Sequence, residues 1–174
     1  MTNEGSPVRH PIEIVSSDGE VVLRQFTPQD AEDIFSLIDN NRGHLSQFGD
    51  DTAEKYPTLE SVRKSIEEPS NPNRLRFAIR NKAGVFVGSI NITPEGDDPK
   101  TAEIGYYLGS EFQGKGYMGR AVESLTNYGF ETLSYESIYG DVVGSNETSI
   151  NVLLRAGYKE ISRQEGKIRF TKQK

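Results

Sequence analysis

Three glycines, at positions 114, 116 and 119, lie in a short segment, residues 113–121, that reads QGKGYMGRA. An apolar run at residues 104–108 precedes the segment, and a helical pattern begins at Tyr117. This order predicts a strand, a tight turn and the start of a helix. Free backbone N–H groups at a helix start point outward, and the helix dipole favours negative charge there. The segment therefore predicts a phosphate or pyrophosphate site.

The same glycines match the dinucleotide fingerprint G-x-G-x-x-G, and Asp141 lies 22 residues after Gly119, near the place of a ribose-binding carboxylate. The fingerprint normally follows the first strand of a doubly wound sheet, whereas only 33 residues follow Asp141. The preceding strand carries Glu103 and Tyr106, while a central parallel strand is a near-continuous aliphatic run. A Walker loop is excluded because no Gly-Lys-Ser/Thr is present. A nicotinamide or flavin protein is thus the disfavoured alternative.

A second block, residues 146–158, reads NETSINVLLRAGY and begins 33 residues after Gln113. Gln113 and Gly116 before a helix, followed by this block, resemble the two cofactor-binding motifs of the GNAT acetyltransferase superfamily. Within it, the chain resembles the ribosomal-protein N-terminal acetyltransferase (RimJ/RimL-like) branch. The resemblance covers about residues 21–171, and Met118 departs from it where Gly or Ala is usual. It implies an acetyl-CoA-dependent N-acetyltransferase.

The resemblance assigns ten residues to an acetyl-CoA site. The fourth predicted strand would offer backbone groups to the pantetheine arm, and the loop would hold the pyrophosphate with its N–H groups. Glycine suits such a loop because a Cβ would keep the phosphate away. The ten are Tyr106, Tyr107 and Leu108 in the strand, Gln113, Gly114, Lys115, Gly116, Tyr117 and Met118 in the loop, and Asn146 at the last helix. Asn146 could also be a plain N-cap, and the loop an ordinary turn.

Ser149 and Glu103 are the candidate catalytic side chains. By the resemblance, Ser149 lies near the CoA sulfur and protonates the leaving thiolate, since the Tyr acid of many relatives is Leu153 here. Glu103, beside the cleft, is the first choice as the base that takes a proton from the amine through water. The amine would attack directly in a ternary complex, without a metal. The structural alternatives are a Ser that bonds a first-turn N–H and an outward-facing strand carboxylate.

Residues 41–48 read NRGHLSQF and resemble the N-R-x-x-L-x-x-W element that lines the acceptor site in this branch. We therefore expect Asn41, His44 and Phe48 to face the substrate, although His44 could be a plain surface residue. The acceptor expected from the branch is a protein N-terminal α-amine, ribosomal or other. A small-molecule amine (an antibiotic, a polyamine or an amino acid) and a non-catalytic CoA-binding module are the alternatives.

Composition limits the classes of function further. The chain has 174 residues, a net charge of −6 and no Cys, which excludes disulfides and thiolate metal sites. The acidic balance disfavours a nucleic-acid binder and suits a cationic substrate such as an amine. No apolar run approaches the length of a membrane span, so we expect a cytoplasmic enzyme. A homodimer is common in the family, but no feature of the sequence requires one.

The elements that must position these residues follow from periodicity and turn signals. They predict a frayed tail at residues 1–11 and one α/β N-acetyltransferase domain at residues 12–174. Their order is β-α-α-β-β-β-α-β-α-β-β, and the resemblance implies a mixed, mostly antiparallel sheet splayed at strands 4 and 5. The predicted strands are 21–26, 75–80, 85–93, 102–108, 137–143, 158–163 and 168–171; the helices are 28–38, 59–67, 117–133 and one capped by Asn146.

Overall fold

The computed structural model describes residues 10–174, so most of the predicted N-terminal tail lies outside the described residues. One mixed sheet of eight strands runs through this part of the chain, in the order β1-β2-β3-β4-β5-β6-β8-β7. The strands are β1 Glu13–Val15, β2 Val21–Gln25, β3 Leu75–Asn81, β4 Phe86–Pro94, β5 Thr101–Leu108, β6 Ser137–Val143, β7 Lys159–Gln164 and β8 Lys167–Gln173. The predicted α/β class is confirmed.

Six helices accompany the sheet in residues 10–174, with 3-10 turns at Pro28–Asp30 and Ser110–Phe112. The helices are α1 Ala31–Asn40, α2 Arg42–Ser46, α3 Thr52–Lys55, α4 Leu59–Glu67, α5 Tyr117–Glu131 and α6 Glu147–Arg155. The bounds of α4 agree with the prediction because Thr58 caps it, accepting a hydrogen bond from the Ser61 amide at 3.1 Å.

Three short elements extend the predicted order. Strand β1 pairs with β2 through only three residues, too few for a visible alternation of apolar and polar side chains. Helices α2 and α3 lie in residues 41–58, for which the sequence predicted neither a helix nor a strand. The polar residues 39–41 predict the end of α1 through a left-handed Asn; α1 does end at Asn40, but Asn41 has φ −127° rather than a left-handed conformation. The side chain of Asn41 bonds the Leu37 carbonyl instead, at 2.9 Å.

The helices pack on both faces of the sheet and form two hydrophobic clusters. Helices α5 and α6 cover one face, where Ile90 and Leu125 are fully buried. Helices α1 and α4 cover the other face around Ile38 and Val62. Because side chains alternate along a strand, β5 directs Tyr106 toward the first cluster and Tyr107 toward the second.

The opening in the sheet lies between β5 and β6. These strands form the sheet's parallel pair, and their pairing covers only Thr101–Glu103 with Ser137–Tyr139. Beyond those residues β5 continues to Leu108 and β6 to Val143 without further pairing between them. The backbone edge of β5 that would face β6 is therefore available to a ligand from about residue 104 onward. The predicted splay between these two strands is confirmed.

Candidate active site

The glycine-rich loop connects the open end of β5 to helix α5 through two left-handed residues. Gly114 has φ +74° and Gly116, the N-cap of α5, has φ +76°. A Cβ at position 116 would lie 2.5 Å from Nη1 of Arg120. The end of the Arg120 side chain would have to move to relieve this contact, and the positive φ adds strain for any residue with a Cβ. Position 116 therefore favours glycine.

The N–H groups of this loop are free, whereas the carbonyls of Lys115 and Gly116 accept hydrogen bonds from Arg120. Within residues 10–174 no protein acceptor bonds the backbone N–H groups of residues 114–119, and the first bonded amide is that of Arg120, to the Gly116 carbonyl at 3.3 Å. Nη1 of Arg120 also donates to that carbonyl, at 3.1 Å. Free donors at a helix start fit an anionic group such as a pyrophosphate.

Arg120 is a residue that the sequence interpretation gave no role. Its Nε donates to Asp18 Oδ2 at 2.6 Å, and Asp18 lies in the turn between β1 and β2. The hydrogen bond from Arg120 lowers the pKa of Asp18 to about 2, so this carboxylate stays charged at neutral pH. The ion pair with Asp18 stabilises the position of Arg120 beside the glycine loop. The two residues are too far apart in the sequence for a local motif to indicate the contact.

The other residues assigned to the loop have distinct placements. Met118 is buried in the first cluster, so only its backbone faces the loop, which explains why a large side chain is tolerated there. Tyr117 packs against the same cluster, and the ammonium of Lys115 lies 5.8 Å from the centre of the Phe112 ring. Gln113 lies outside the helix, and its Nε2 is 3.4 Å from His44 Nε2.

Ser149 and Tyr106 meet across the opening between β5 and β6. Ser149 Oγ lies 2.8 Å from the Tyr106 hydroxyl, and its backbone N–H donates to Asn146 Oδ1 at 3.1 Å. Asn146 is thus the N-cap of α6 and fixes the first turn that carries Ser149. Burial raises the pKa of Tyr106 well above its usual value, so its phenol stays protonated. Sequence alone gave no reason to pair these hydroxyls.

Glu103 lies on the opposite face of β5, among other charged groups. Its side chain is exposed at the surface, yet partial desolvation and then the charge of Asp141 raise its pKa, while Arg74 and Arg169 oppose the shift. Asp141 accepts two hydrogen bonds from Arg169, at 2.8 and 2.7 Å. A raised pKa makes Glu103 a stronger base than an ordinary carboxylate. The hydrogen bonds from Arg169 also engage Asp141 away from the glycine loop.

Asn41 is placed differently from the expected acceptor-site lining. It is 3% exposed, and its Oδ1 accepts hydrogen bonds from the N–H and the hydroxyl of Ser110, both at 2.9 Å. Ser110 begins the 3-10 turn that leads into the glycine loop. With its amide used by Leu37 and Ser110, Asn41 connects α1 to that turn. His44 lies beside Gln113, and Phe48 is half-buried just after α2.

Arg42 is a second residue whose role sequence reasoning missed. Its guanidinium donates to the carbonyls of Ala53 at 2.8 Å and Tyr56 at 3.2 Å, and to Asp39 at 2.8 Å. These contacts hold α3 and the following turn against α2. Arg42 therefore stabilises residues 41–48, the segment that the resemblance assigns to the acceptor site. It directly follows Asn41, the residue bonded to Ser110.

Comparison with known proteins agrees with this geometry. Residues 20–159 match the family model described as an acetyltransferase (GNAT) domain. The chain belongs to the GNAT acetyltransferase family. A relative from Bacillus subtilis (strain 168), named "Probable N-acetyltransferase YjcK", is 31% identical over 158 residues, covering 85% of this chain and 86% of the relative.

Two more similarities involve proteins of named substrate. The spermidine N(1)-acetyltransferase of Vibrio cholerae serotype O1 is 24% identical over 144 residues, covering 82% of this chain and 81% of that protein. A solved structure of RimL, a ribosomal L7/L12 alpha-N-protein acetyltransferase in complex with coenzyme A, gives a TM-score of 0.79 at 19% identity. It covers 92% of this chain and 98% of that chain. The latter similarity establishes a common fold.

Membership in this family makes the GNAT protein an acyltransferase that uses acetyl-CoA. The open amides of residues 114–119 and the free edge of β5 fit the anionic and pantetheine parts of that molecule. Among residues 10–174 there is no group of three or more His, Asp and Glu side chains that could hold a metal ion. No helix in the same range is long and apolar enough to cross a membrane.

Proposed function

We propose that this GNAT protein acetylates protein N-terminal α-amines, ribosomal or other, in a ternary complex with acetyl-CoA. The observation that carries the proposal is the position of Glu103, an exposed carboxylate at the last β5 residue that pairs with β6, beside the opening of the sheet. Partial desolvation raises its pKa, but it is still a modest base. An α-amine has a pKa of about 8 and a lysine side chain a pKa of about 10.4, so the α-amine needs only a modest base. The likeness of residues 41–48 to the acceptor element of the ribosomal branch supports the same choice.

In this proposal, acetyl-CoA and the amine acceptor approach the opening between β5 and β6 from opposite faces of the sheet. Acetyl-CoA supplies an acetyl group on a thioester carbonyl. The N–H groups of the glycine loop bind its pyrophosphate, with Gln113 and Lys115 at the rim. The free edge of β5 at Tyr106, Tyr107 and Leu108 aligns the thioester and polarises its carbonyl with backbone N–H donors. Tyr106 and Glu103 lie on opposite faces of β5, so the sulfur and the amine are approached from opposite sides.

Proton and charge movement then involve two side chains. Glu103 accepts a proton from the attacking amine through a water molecule. Ser149 donates a hydrogen bond to the departing sulfur, which keeps the electron pair of the broken carbon–sulfur bond. A thiol has a pKa of about 8.5, so the thiolate is a fair leaving group, and a hydrogen-bond donor is enough to stabilise it. Asn146 sets the position of Ser149, while His44 and Phe48 lie toward the acceptor.

The test is release of free thiol from acetyl-CoA with a panel of acceptors. The panel contains short peptides with free N-termini, the same peptides with blocked N-termini, spermidine, amino acids and an aminoglycoside. We expect turnover with free N-termini and none with the blocked forms. Turnover with spermidine alone would instead support the polyamine alternative, which the V. cholerae relative motivates. We also propose that residues 12–174 belong to the N-acetyltransferase domain and that the Cys-free enzyme works in the cytoplasm.

A further inference from the structure

A hydroxyl pair bridges the opening where the sheet splays. The Tyr106 hydroxyl lies 2.8 Å from Ser149 Oγ and 3.4 Å from the Ser149 carbonyl oxygen. Tyr106 lies three residues beyond Glu103, the last residue of β5 that pairs with β6. The bond is therefore a direct link between the end of β5 and the first turn of α6. It crosses the opening in which the thioester is proposed to lie.

Either hydroxyl of the pair can be the donor, and the role of Ser149 depends on which one donates. The Tyr106 phenol is half-buried and protonated, so it has one proton to donate. The Ser149 backbone N–H is already bonded to Asn146 Oδ1, which holds the serine in place. If Tyr106 donates to Ser149 Oγ, the single Ser149 proton remains free to point away from Tyr106.

We propose that Tyr106 is a positioning residue that holds the Ser149 hydroxyl as a hydrogen-bond donor toward the departing sulfur. This inference rests on the proposed function of Ser149. As the carbon–nitrogen bond forms and the carbon–sulfur bond breaks, the electron pair stays on sulfur and the amine proton passes through water to Glu103. Neither Tyr106 nor Ser149 loses its proton, because a thiolate (thiol pKa about 8.5) is a weaker base than a phenolate (about 10) and a much weaker base than a serine alkoxide. The thiolate takes its proton from solvent.

The role can be tested with Tyr106→Phe, Ser149→Ala and the double variant. One neutral hydrogen bond is worth about threefold to tenfold in rate, so we expect Tyr106→Phe to lower kcat by that factor. The dissociation constant of acetyl-CoA should stay unchanged. Because Tyr106 acts through Ser149, adding Tyr106→Phe to Ser149→Ala should cause no further loss. A Tyr106 side chain needed only for packing would lower kcat again in the double variant.

Tyr158→Phe is the matched control. The Tyr158 hydroxyl lies 2.7 Å from Thr126 Oγ1, and both residues are buried in the core. We expect this variant to lower the melting temperature and to leave kcat unchanged. Wild-type kcat in Tyr106→Phe, multiplied losses in the double variant, or weaker acetyl-CoA binding would each overturn the inference while the wild-type enzyme remains active. A wild-type protein that acetylates no acceptor would overturn the proposed function, and this inference with it.

Discussion

At the residue scale, Gly116 holds a backbone position that other residues tolerate poorly. Gly116→Ala would place a Cβ against Arg120 and disturb the amides that face the proposed pyrophosphate. We expect the affinity for acetyl-CoA to fall at least about tenfold, which corresponds to about 1.4 kcal/mol. Isothermal titration with acetyl-CoA measures the change.

Gly84→Ala separates backbone strain from loss of the site. Gly84 has φ +80°, and nothing lies within 4 Å of a Cβ built there. Both variants carry a similar strain, but only the first alters the glycine loop. We expect Gly84→Ala to bind acetyl-CoA like the wild type. Equal affinity in all three proteins would contradict the assignment of the loop.

Glu103 should determine the acidic limb of the pH–rate profile. Partial desolvation and the charge of Asp141 raise its pKa, so kcat should fall, as the pH is lowered, at a higher pH than an ordinary carboxylate would give. Asp141→Asn removes that charge and frees Arg169, and both changes lower the pKa of Glu103. We expect the limb to move to lower pH in this variant. A limb that does not move would remove Glu103 from the chemistry, and Glu103→Gln, which should abolish the limb, serves as the reference.

The glycine loop could be predicted from sequence because its conformation depends on adjacent residues. Gly114, Gly116 and the helix start are local, and their types alone limit the backbone. The Tyr106–Ser149 pair could not be predicted, since the two hydroxyls are 43 residues apart and meet only after β5 and α6 have packed. For the same reason the hydrogen bond between Arg120 and Asp18, which are 102 residues apart, could not be predicted.

At the element scale, Arg42 links helices α2 and α3 to the turn that follows them. A lysine offers a point charge and cannot span carbonyls as far apart as those of Ala53 and Tyr56. We therefore expect Arg42→Lys to raise the KM for a peptide acceptor about tenfold, a loss of about 1.4 kcal/mol. The KM for acetyl-CoA should not change. Initial-rate kinetics with each substrate varied in turn give both constants.

The control for Arg42→Lys is Arg63→Lys. Arg63 makes an exposed ion pair with Glu32 at 3.5 Å on the α1–α4 surface. We expect this variant to keep both KM values. If Arg42→Lys weakened acetyl-CoA binding as much as acceptor binding, residues 41–48 would not be an acceptor element.

Asp30 anchors the first 3-10 turn and α1 to the sheet. It is fully buried, and Arg24 and Arg80 bond Oδ1 at 3.1 and 2.8 Å while the Thr27 N–H bonds Oδ2. We expect Asp30→Asn to lower the free energy of unfolding by about 3 kcal/mol, because both guanidinium groups lose their buried partner. Chemical denaturation at neutral pH measures this. Asp51→Asn, which breaks an exposed pair with Lys55, should cost less than about 1 kcal/mol.

The pH dependence of unfolding gives an independent check on Asp30. Burial raises its pKa, but the hydrogen bonds from Arg80, Thr27 and Arg24 outweigh burial and hold the pKa below its ordinary value. The stabilisation is therefore present above the ordinary pKa of an aspartate and is lost as the pH falls through the lowered pKa. The unfolding free energy of Asp30→Asn should vary less with pH in that acidic range. An identical pH dependence would contradict the assignment.

The long elements were predictable because periodicity and capping are repeated over many residues. Helix α4 and strand β6 have the predicted bounds, Leu59–Glu67 and Ser137–Val143. Strand β1 and helices α2 and α3 are three to five residues long, and tertiary contacts such as those of Arg42 stabilise them. Elements of that length carry too few residues for a periodic pattern.

At the scale of the whole molecule, the splay separates two approaches to one reaction centre. The glycine loop and the Tyr106–Ser149 pair border the opening on the side of α5 and α6. Glu103 lies on the other face of β5. The chain has a net charge of −6, which suits a cationic acceptor. This arrangement supports the proposal that the enzyme transfers acetyl from acetyl-CoA to an α-amine.

A competition between the α-amine and a lysine of the same peptide tests this proposal. A peptide with a free N-terminus and one internal lysine is incubated with acetyl-CoA and the enzyme near pH 7, and fragment mass spectrometry locates the acetyl group. We expect acetyl at the α-nitrogen, because the α-amine loses its proton to a modest base more readily than the lysine. Acetyl found mainly on the lysine, or no acetylated peptide while spermidine is consumed, would contradict it.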